Sequence, residues 1–239
     1  MLNTSSLRFK RAIFAVVLIL FTQVGIANQP ELAKAEVAVF AVEYPPFTTM
    51  ETADRGINFQ LLAKTIGRKF TISPRFVPPA RAGEILRHEP WCISFYPPKG
   101  MDDTVRFFPL SEQRVELAFY RTASNAPTIS NLDTLAGQRV AVLRVKKLGT
   151  FHQPLLDAGA ELVMTESVAQ GLELLKFGRV DHILADEVGV SEALNKLDNM
   201  PVMERSEYVY FETHVGAHLN TQCKHYNDLV ALFGNIQSQ

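Results

Sequence analysis

The stretch Gly178-Arg-Val-Asp-His-Ile-Leu-Ala-Asp-Glu187 contains a short apolar run that is followed at once by two acids. The run predicts a buried strand at His182–Ala185. The acids predict a helix from Glu187 onward, because Asp is a favourable helix N-cap. A strand that leads directly into a helix is typical of α/β folds. Asp186 therefore stands at the carboxyl end of a strand, where open α/β sheets have their clefts.

The same alternation extends along the second half of the chain. Strands are predicted at Gln138–Leu143 and Glu161–Met164, and helices at Thr150–Ala158, Ser167–Phe177 and Glu187–Leu197. Strands that alternate with helices predict a mainly parallel sheet that is covered by helices.

The first half of the chain repeats this pattern. Its apolar runs and turn residues predict strands at Glu36–Val42, Phe70–Val77, Trp91–Tyr96 and Val115–Tyr120, and helices at Asn58–Arg68 and Arg81–His88.

The last part of the chain returns to strands at Tyr208–Phe211 and Val215–Leu219, followed by a helix at Lys224–Ile236. Two similar units with a late return segment predict a two-lobed α/β fold. Each lobe is expected to be a mainly parallel sheet flanked by helices, with a hinged cleft between the lobes. Clefts of this kind bind small ligands.

Composition excludes several classes of protein. The 239 residues are 47% hydrophobic and 21% charged, which is enough apolar material for a sizeable core. The 24 Lys and Arg nearly balance the 25 Asp and Glu, so no basic surface for nucleic acid is expected. Two cysteines are too few for a disulfide scaffold or a four-thiolate zinc site.

The N-terminal residues 1–27 have the three parts of a secretory signal peptide. Basic residues precede the apolar run Ala12–Phe21, and the small residues Gly25 and Ala27 predict a cut after Ala27. The alternative is an uncleaved anchor, although the run is shorter than the roughly 20 residues that span a bilayer. We expect an exported protein.

The two cysteines, Cys92 and Cys223, would then meet an oxidising compartment, where a disulfide can form. The alternative is two separate buried thiols, and spacing alone does not decide between them.

Enzyme motifs are absent from the sequence. It has no Gly-x-Gly-x-x-Gly, no phosphate loop, no His-Glu-x-x-His and no Gly-x-Ser-x-Gly. His214 and His218 have a spacing that allows two metal ligands, but no third ligand stands nearby, so we interpret them as surface histidines near a strand end. We expect no catalytic residue, no metal and no cofactor.

Four segments together resemble the family 3 bacterial extracellular solute-binding proteins, periplasmic receptors that feed polar amino acids to ABC transporters. They are Gly178–Glu187, the "VEYPPF" of Val42–Phe47, the helix at Gly56–Ile66 and the "LAGQRVAVLR" of Leu135–Arg144. The resemblance covers most of the chain from about Glu36 onward.

This resemblance implies a periplasmic clamp that binds an amino-acid-like solute between its lobes and then docks on an ABC permease. We expect a monomer. The first lobe is expected in residues 28–121 and 206–239, and the second in 122–205, with the polar stretch Arg121–Asn131 as a crossover.

The resemblance also implies where the two ends of the solute are bound. Asp186 is expected to receive an ammonium group by a charge-assisted hydrogen bond, and the alternative role as a helix N-cap is compatible with this. Gly149 and Thr150 are expected to open a helix whose free amides bind a carboxylate; the alternative for Thr150 is plain capping.

An arginine usually completes carboxylate binding in that family, because its planar fork pairs with both oxygens. Here the motif is broken. Arg106 is the nearest candidate and Arg81 is the second. The departure puts a standard α-amino acid ligand in doubt.

Four further residues are candidate contacts. Tyr44 and Phe47 flank a proline pair and either cover the solute or pack on their own lobe. Ser94 and Tyr96 end a strand and are expected to offer hydroxyl groups.

Two other functions stay open at this point. Some proteins of this fold are dehydratases, and Glu43 is the only acid adjacent to the aromatic turn. A ligand-presenting sensory subunit is the third alternative.

Overall fold

The strands lie in one mixed sheet in the order β2-β1-β3-β8-β4-β7-β5-β6. The computed structural model describes residues 33–98, 103–124 and 128–234, so the predicted signal peptide lies outside the described residues. The strands are β1 Ala35–Ala41, β2 Phe70–Phe76, β3 Ile93–Ser94, β4 Val105–Thr122, β5 Arg139–Leu143, β6 Glu161–Thr165, β7 His182–Asp186 and β8 Met203–Asn220.

Helices cover both faces of the sheet. They are α1 Ile57–Ile66, α2 Pro79–His88, α3 Gln153–Asp157, α4 Val168–Lys176, α5 Glu187–Leu194 and α6 Tyr226–Gly234, with a 3₁₀ turn at Leu132–Leu135. Within the described part of the chain, no helix is long and apolar enough to cross a membrane.

The sheet has two halves with the same internal order. In the first half-sheet, β1 pairs in parallel with β2 and β3, and β3 pairs antiparallel with β8. In the second half-sheet, β5 pairs in parallel with β6 and β7, and β7 pairs antiparallel with β4. The predicted fold of two mainly parallel α/β units is therefore confirmed.

The two long strands β4 and β8 run through both half-sheets. Each has 18 residues, and they pair antiparallel from Val105–Asn220 to Thr122–Met203. The two strands predicted at 208–211 and 215–219 are therefore parts of one strand, because β8 pairs with β4 along both segments and the chain does not turn between them. The chain passes between half-sheets inside β4, so the predicted lobe limits at 121 and 206 stay predictions.

The core of the first half-sheet lies between the sheet and the helices α1 and α6. Phe59, Leu62 and Ile66 recur at helical spacing on one face of α1 and are buried. Leu229 and Phe233 of α6 belong to the same cluster.

The second half-sheet is buried on both faces. On one face, Leu172 and Leu175 of α4 pack with Ile183. A Cβ on Gly171 would lie 2.4 Å from the Ile183 side chain, so glycine permits this close approach. On the other face, Phe119 and Leu155 form a separate cluster.

Two predicted elements are shorter than expected. The helix predicted at 150–158 is α3, Gln153–Asp157, because proline is tolerated only in a first helical turn and Pro154 therefore fixes where the helix begins. The strand predicted at 91–96 is only Ile93–Ser94. The Ser94 hydroxyl donates to the Tyr96 carbonyl at 2.6 Å and turns the chain there.

Candidate functional site

The loop after β1 has a fixed backbone conformation. The Tyr44 amide donates to the Thr48 carbonyl at 2.8 Å, and the Asn58 amide of α1 donates to the Phe47 carbonyl at 2.9 Å. The peptide bond between Pro45 and Pro46 is cis. These contacts attach the loop to the start of α1 and fix the position of the Tyr44 backbone.

Asp186 lies at the end of β7 and is 2% exposed. Its Oδ1 accepts a hydrogen bond from the Gly189 amide at 2.8 Å, which makes it the N-cap of α5. A Cβ on residue 189 would lie 3.0 Å from Asp186 Oδ2, so glycine leaves room for the carboxylate. The N-cap interpretation is confirmed; it leaves the second oxygen for another partner.

That partner is Tyr44, 142 residues away in the chain. The Tyr44 hydroxyl donates to Asp186 Oδ2 at 2.5 Å. Burial, followed by the charge of Asp186, raises the pKa of Tyr44 well above its usual value. The hydroxyl therefore stays protonated and acts as a hydrogen-bond donor. The Tyr44 ring also stacks on Phe47 with centroids 6.2 Å apart. This contact joins the loop of the first half-sheet to the strand end of the second.

Tyr120 lies close to this pair and was not predicted as a site residue. It is 4% exposed and pairs across the sheet with Arg205. Burial raises the pKa of Tyr120 to about 12, and the nearby Arg205 charge opposes part of that rise. In the described part of the chain, neither the Tyr120 hydroxyl nor Arg205 Nε has a hydrogen-bond partner. The sequence signal was only that Tyr120 ends a predicted strand.

Two exposed ion pairs also join the halves. Lys196, after α5, lies 2.6 Å from Glu51 in the loop after β1. Lys146, after β5, lies 3.5 Å from Glu84 of α2. The hydrogen bond from Lys196 to Glu51 raises the pKa of Lys196. No sequence pattern connects residues this far apart, and sequence reasoning missed both pairs.

The predicted carboxylate-binding residues lie in different surroundings. Since β5 and β7 are parallel neighbours, the loop with Gly149 and Thr150 leaves the same sheet edge as Asp186. However, Thr150 is exposed and lies three residues before α3. The prediction that Thr150 opens a helix is wrong, because Pro154 sets the helix start later. Its contact with a solute stays a prediction.

The two candidate arginines lie on the first half-sheet side with exposed side chains. Arg106 is on β4 opposite Leu219 and donates to the Val105 carbonyl at 2.9 Å. Arg81 is in the first turn of α2. Among the residues that the structure describes, neither is a hydrogen-bond partner of Asp186.

The remaining candidates support the loops. Phe47 is 5% exposed and stacks on the Tyr44 ring. Ser94 is fully buried, and its hydroxyl is hydrogen-bonded to the Tyr96 backbone. Tyr96 is partly buried, and burial raises the pKa of its hydroxyl. Glu43 Oε2 accepts a hydrogen bond from the Met50 amide at 3.0 Å, which holds the turn.

Cys92 and Cys223 form a disulfide with Cα atoms 5.0 Å apart. The bridge is the outcome that the sequence left open. It lies beside an open groove of about 600 Å³ whose lining includes Glu36 and Trp91. The groove is at the starts of β1 and β3, away from Tyr44 and Asp186 at strand ends.

The described residues contain no group of three His, Cys, Asp or Glu that could hold a metal ion. His218 lies near the end of a strand, as predicted, but it is only partly exposed, and its ring is tilted against Phe107 with centroids 5.1 Å apart. Burial lowers its pKa to about 4.

Solved structures share this architecture. The ligand-binding core of GluR0 in complex with L-glutamate has a TM-score of 0.67 and 16% identity, covering 85% of this chain and 93% of that chain. The chain has the fold of the periplasmic binding proteins. A histidine kinase sensor domain with similarity to periplasmic binding proteins gives a TM-score of 0.65 and 19% identity, covering 85% and 88% of the two chains.

A putative L-cystine ABC transporter protein from Listeria monocytogenes gives a TM-score of 0.67 and 14% identity, covering 85% of this chain and 89% of that chain. These descriptions name a ligand-binding core, a sensor domain and a transporter protein. No protein-family model and no curated protein sequence matches the chain.

Proposed function

We propose that this chain is an exported solute-binding protein of the family 3 type, which closes two lobes around a small polar, amino-acid-like solute. The observation that carries the proposal is the hydrogen bond from Tyr44 to Asp186, which brings a buried carboxylate of one half-sheet against a loop of the other. The fold, whose solved examples include an L-glutamate complex, supports it.

The chemistry of Asp186 favours a solute with an ammonium group. Its carboxylate is almost fully buried, so a partner must be a hydrogen-bond donor. A charged donor forms a shorter and stronger bond to a carboxylate than a neutral hydroxyl does. In this proposal Gly149, Thr150 and either Arg106 or Arg81 act on the opposite end of the solute.

Closure in this proposal is a hinge motion between two lobes. The first lobe consists of residues 28–121 and 206–239, and the second consists of residues 122–205. The pairing of β4 with β8 changes register between Pro109 and Arg114, inside the first lobe, and again between Leu117 and Tyr120, next to the proposed lobe limit at 121. Irregular pairing in two long shared strands is a suitable place for bending, because few ladder hydrogen bonds have to break.

The closed form would dock on the membrane subunits of an ABC permease, and the similar transporter protein supports this partner. Presentation of solute to a membrane receptor is the second candidate, favoured by the similar sensor domain. A dehydratase would need a free acid or base. Glu43, the candidate from the sequence, accepts the Met50 amide at Oε2, while its buried Oε1 has no hydrogen-bond partner in the described part of the chain, so Glu43 is the residue on which this alternative would depend.

The test is a thermal-shift screen of the mature chain, residues 28–239, against amino acids and polyamines. A solute present at 100 times its Kd adds about 2.7 kcal/mol to the stability of the folded state. Asp186→Asn removes the charge but keeps an N-cap, and it should abolish most of the shift. The matched control is Asp181→Asn, whose carboxylate pairs with Arg139.

The control should retain the full shift over its own baseline. An equal shift in wild type and Asp186→Asn would show that Asp186 does not hold the solute. Consumption of the bound solute, followed by NMR, would favour the enzyme instead. Sequencing the N-terminus of periplasmic protein tests the cut after Ala27.

A further inference from the structure

Both oxygens of the Asp186 carboxylate are engaged by the protein itself. Oδ1 accepts from the Gly189 amide at 2.8 Å, and Oδ2 accepts from the Tyr44 hydroxyl at 2.5 Å. The residue is 2% exposed in this arrangement. A solute can therefore reach Asp186 only if the Tyr44 hydroxyl moves away first.

Tyr44 is well placed to hold this position. Its backbone is fixed by the hydrogen bonds with Thr48, and its ring lies between Phe47 and the core cluster of the second half-sheet. Burial and the Asp186 charge both keep the hydroxyl protonated. The side chain therefore remains a donor to the carboxylate across the ordinary pH range.

We propose that Tyr44 is a built-in competitor for the solute: its hydroxyl latches the two half-sheets together at Asp186, and the solute binds by displacing it. This inference rests on the proposed function and concerns the regulation of the same site. The latch sets affinity, because the apparent Kd is the intrinsic Kd divided by the fraction of molecules that are open.

The two exposed ion pairs also connect the two half-sheets, but they are more sensitive to salt than the hydrogen bond between Tyr44 and Asp186. Glu51 and Lys196 have side chains that are 64% and 45% exposed, so salt screens their attraction. The Tyr44–Asp186 hydrogen bond is buried and is screened much less. Closure that survives high salt therefore identifies the buried contact as the main latch.

The variant Tyr44→Phe removes one hydroxyl and keeps the ring that stacks on Phe47. Tyr226→Phe is the matched control. It also removes one hydroxyl, but from α6, whose Tyr226 packs against the core of the first half-sheet. Small-angle X-ray scattering of each solute-free protein at 0.05 M and about 0.5 M NaCl reports the radius of gyration without any ligand.

We expect wild type and Tyr226→Phe to stay closed at both salt concentrations. Tyr44→Phe should have a larger radius of gyration than wild type. The difference should grow at high salt, because the variant is held closed only by the exposed ion pairs, which salt screens. A Tyr44→Phe protein as compact as wild type at both concentrations overturns the latch. A wild type that opens with salt alone also overturns it, because the exposed pairs would then hold the lobes.

Calorimetry with L-glutamate, L-cystine and putrescine gives the second measurement, since each probe carries a primary ammonium. A probe that binds wild type should bind Tyr44→Phe about tenfold to hundredfold more tightly, the range expected for a hydrogen bond to a charged group. Weaker binding by Tyr44→Phe overturns the competitor role. If no member of the amino-acid and polyamine panel binds any variant, the proposed function fails, while scattering still decides whether the latch exists.

Discussion

The first and second half-sheets have the same strand order but are stabilised differently. In each, the strand that comes first in the chain is central, the next is at the edge and the third lies inside: β2-β1-β3 and β6-β5-β7. The first contains the disulfide between Cys92 and Cys223. Both contain aromatic pairs, such as Phe59 with Phe95 at 5.0 Å in the first and Phe119 with Tyr210 at 5.9 Å in the second.

The second half-sheet has apolar clusters on both faces and adds side-chain caps at two of its helices. Ser167 and Asp186 cap α4 and α5 with their side chains. Among the described residues, α1 and α2 of the first half-sheet have no side-chain cap, and neither does α3 of the second. The same strand order can therefore be stabilised by different kinds of contact. The half-sheet with these caps is the one that supplies the buried carboxylate of the candidate site.

The largest expected effect tests the covalent half. The disulfide closes a sequence separation of 131 residues, so its loss should cost about 5 kcal/mol of unfolding free energy. Urea unfolding with and without reductant measures this. Hydrogen exchange should accelerate in β1 and β3 more than in β5 and β7.

The variant with both Cys92→Ser and Cys223→Ser is the control and should be indifferent to reductant. Equal acceleration of exchange in both half-sheets would break the comparison, since the bridge would then stabilise the whole molecule uniformly.

A smaller effect compares one buried histidine from each half. Burial lowers the pKa of His218 to about 4, so the folded state stays neutral while the unfolded state takes up a proton near pH 6.5. The contribution of neutral His218 to the free energy of unfolding is therefore fully present above about pH 6.5. It is lost between that pH and about pH 4, by up to about 3 kcal/mol. His218→Gln should flatten this slope in urea titrations.

His182→Gln is the partner variant in the second half-sheet. Burial lowers the pKa of His182 too, but the neighbouring Asp181 charge raises it back in part. The slope should therefore change less in His182→Gln than in His218→Gln. The opposite order would mean that the second half-sheet carries the main acid sensitivity.

The smallest expected effect tests the capped half. The Ser167 hydroxyl accepts from the Gln170 amide at 3.1 Å, and Ser167→Ala should cost about 1 kcal/mol. Ser167→Asp restores an acceptor and should recover most of the loss in thermal unfolding. No loss in Ser167→Ala would show that side-chain capping does not distinguish the half-sheets.

Much of the fold was predictable because its signals are local. Helical spacing in α1 and α4 and the apolar run of β7 depend on neighbours within a few turns, and each element was found within a few residues. The lengths of β4 and β8 were underestimated. Their polar middle residues broke the apolar pattern, while pairing between the two strands kept them extended.

The sequence alone determined the α/β class, the repeated unit and the position of Asp186 as the cap at a strand end, because propensity, periodicity and capping act between near neighbours. Tertiary structure alone decided the pairing of Cys92 with Cys223, the exposure of Thr150 and the contact of Tyr44 with Asp186. Those depend on how segments up to 142 residues apart pack together, and no local pattern contains that information.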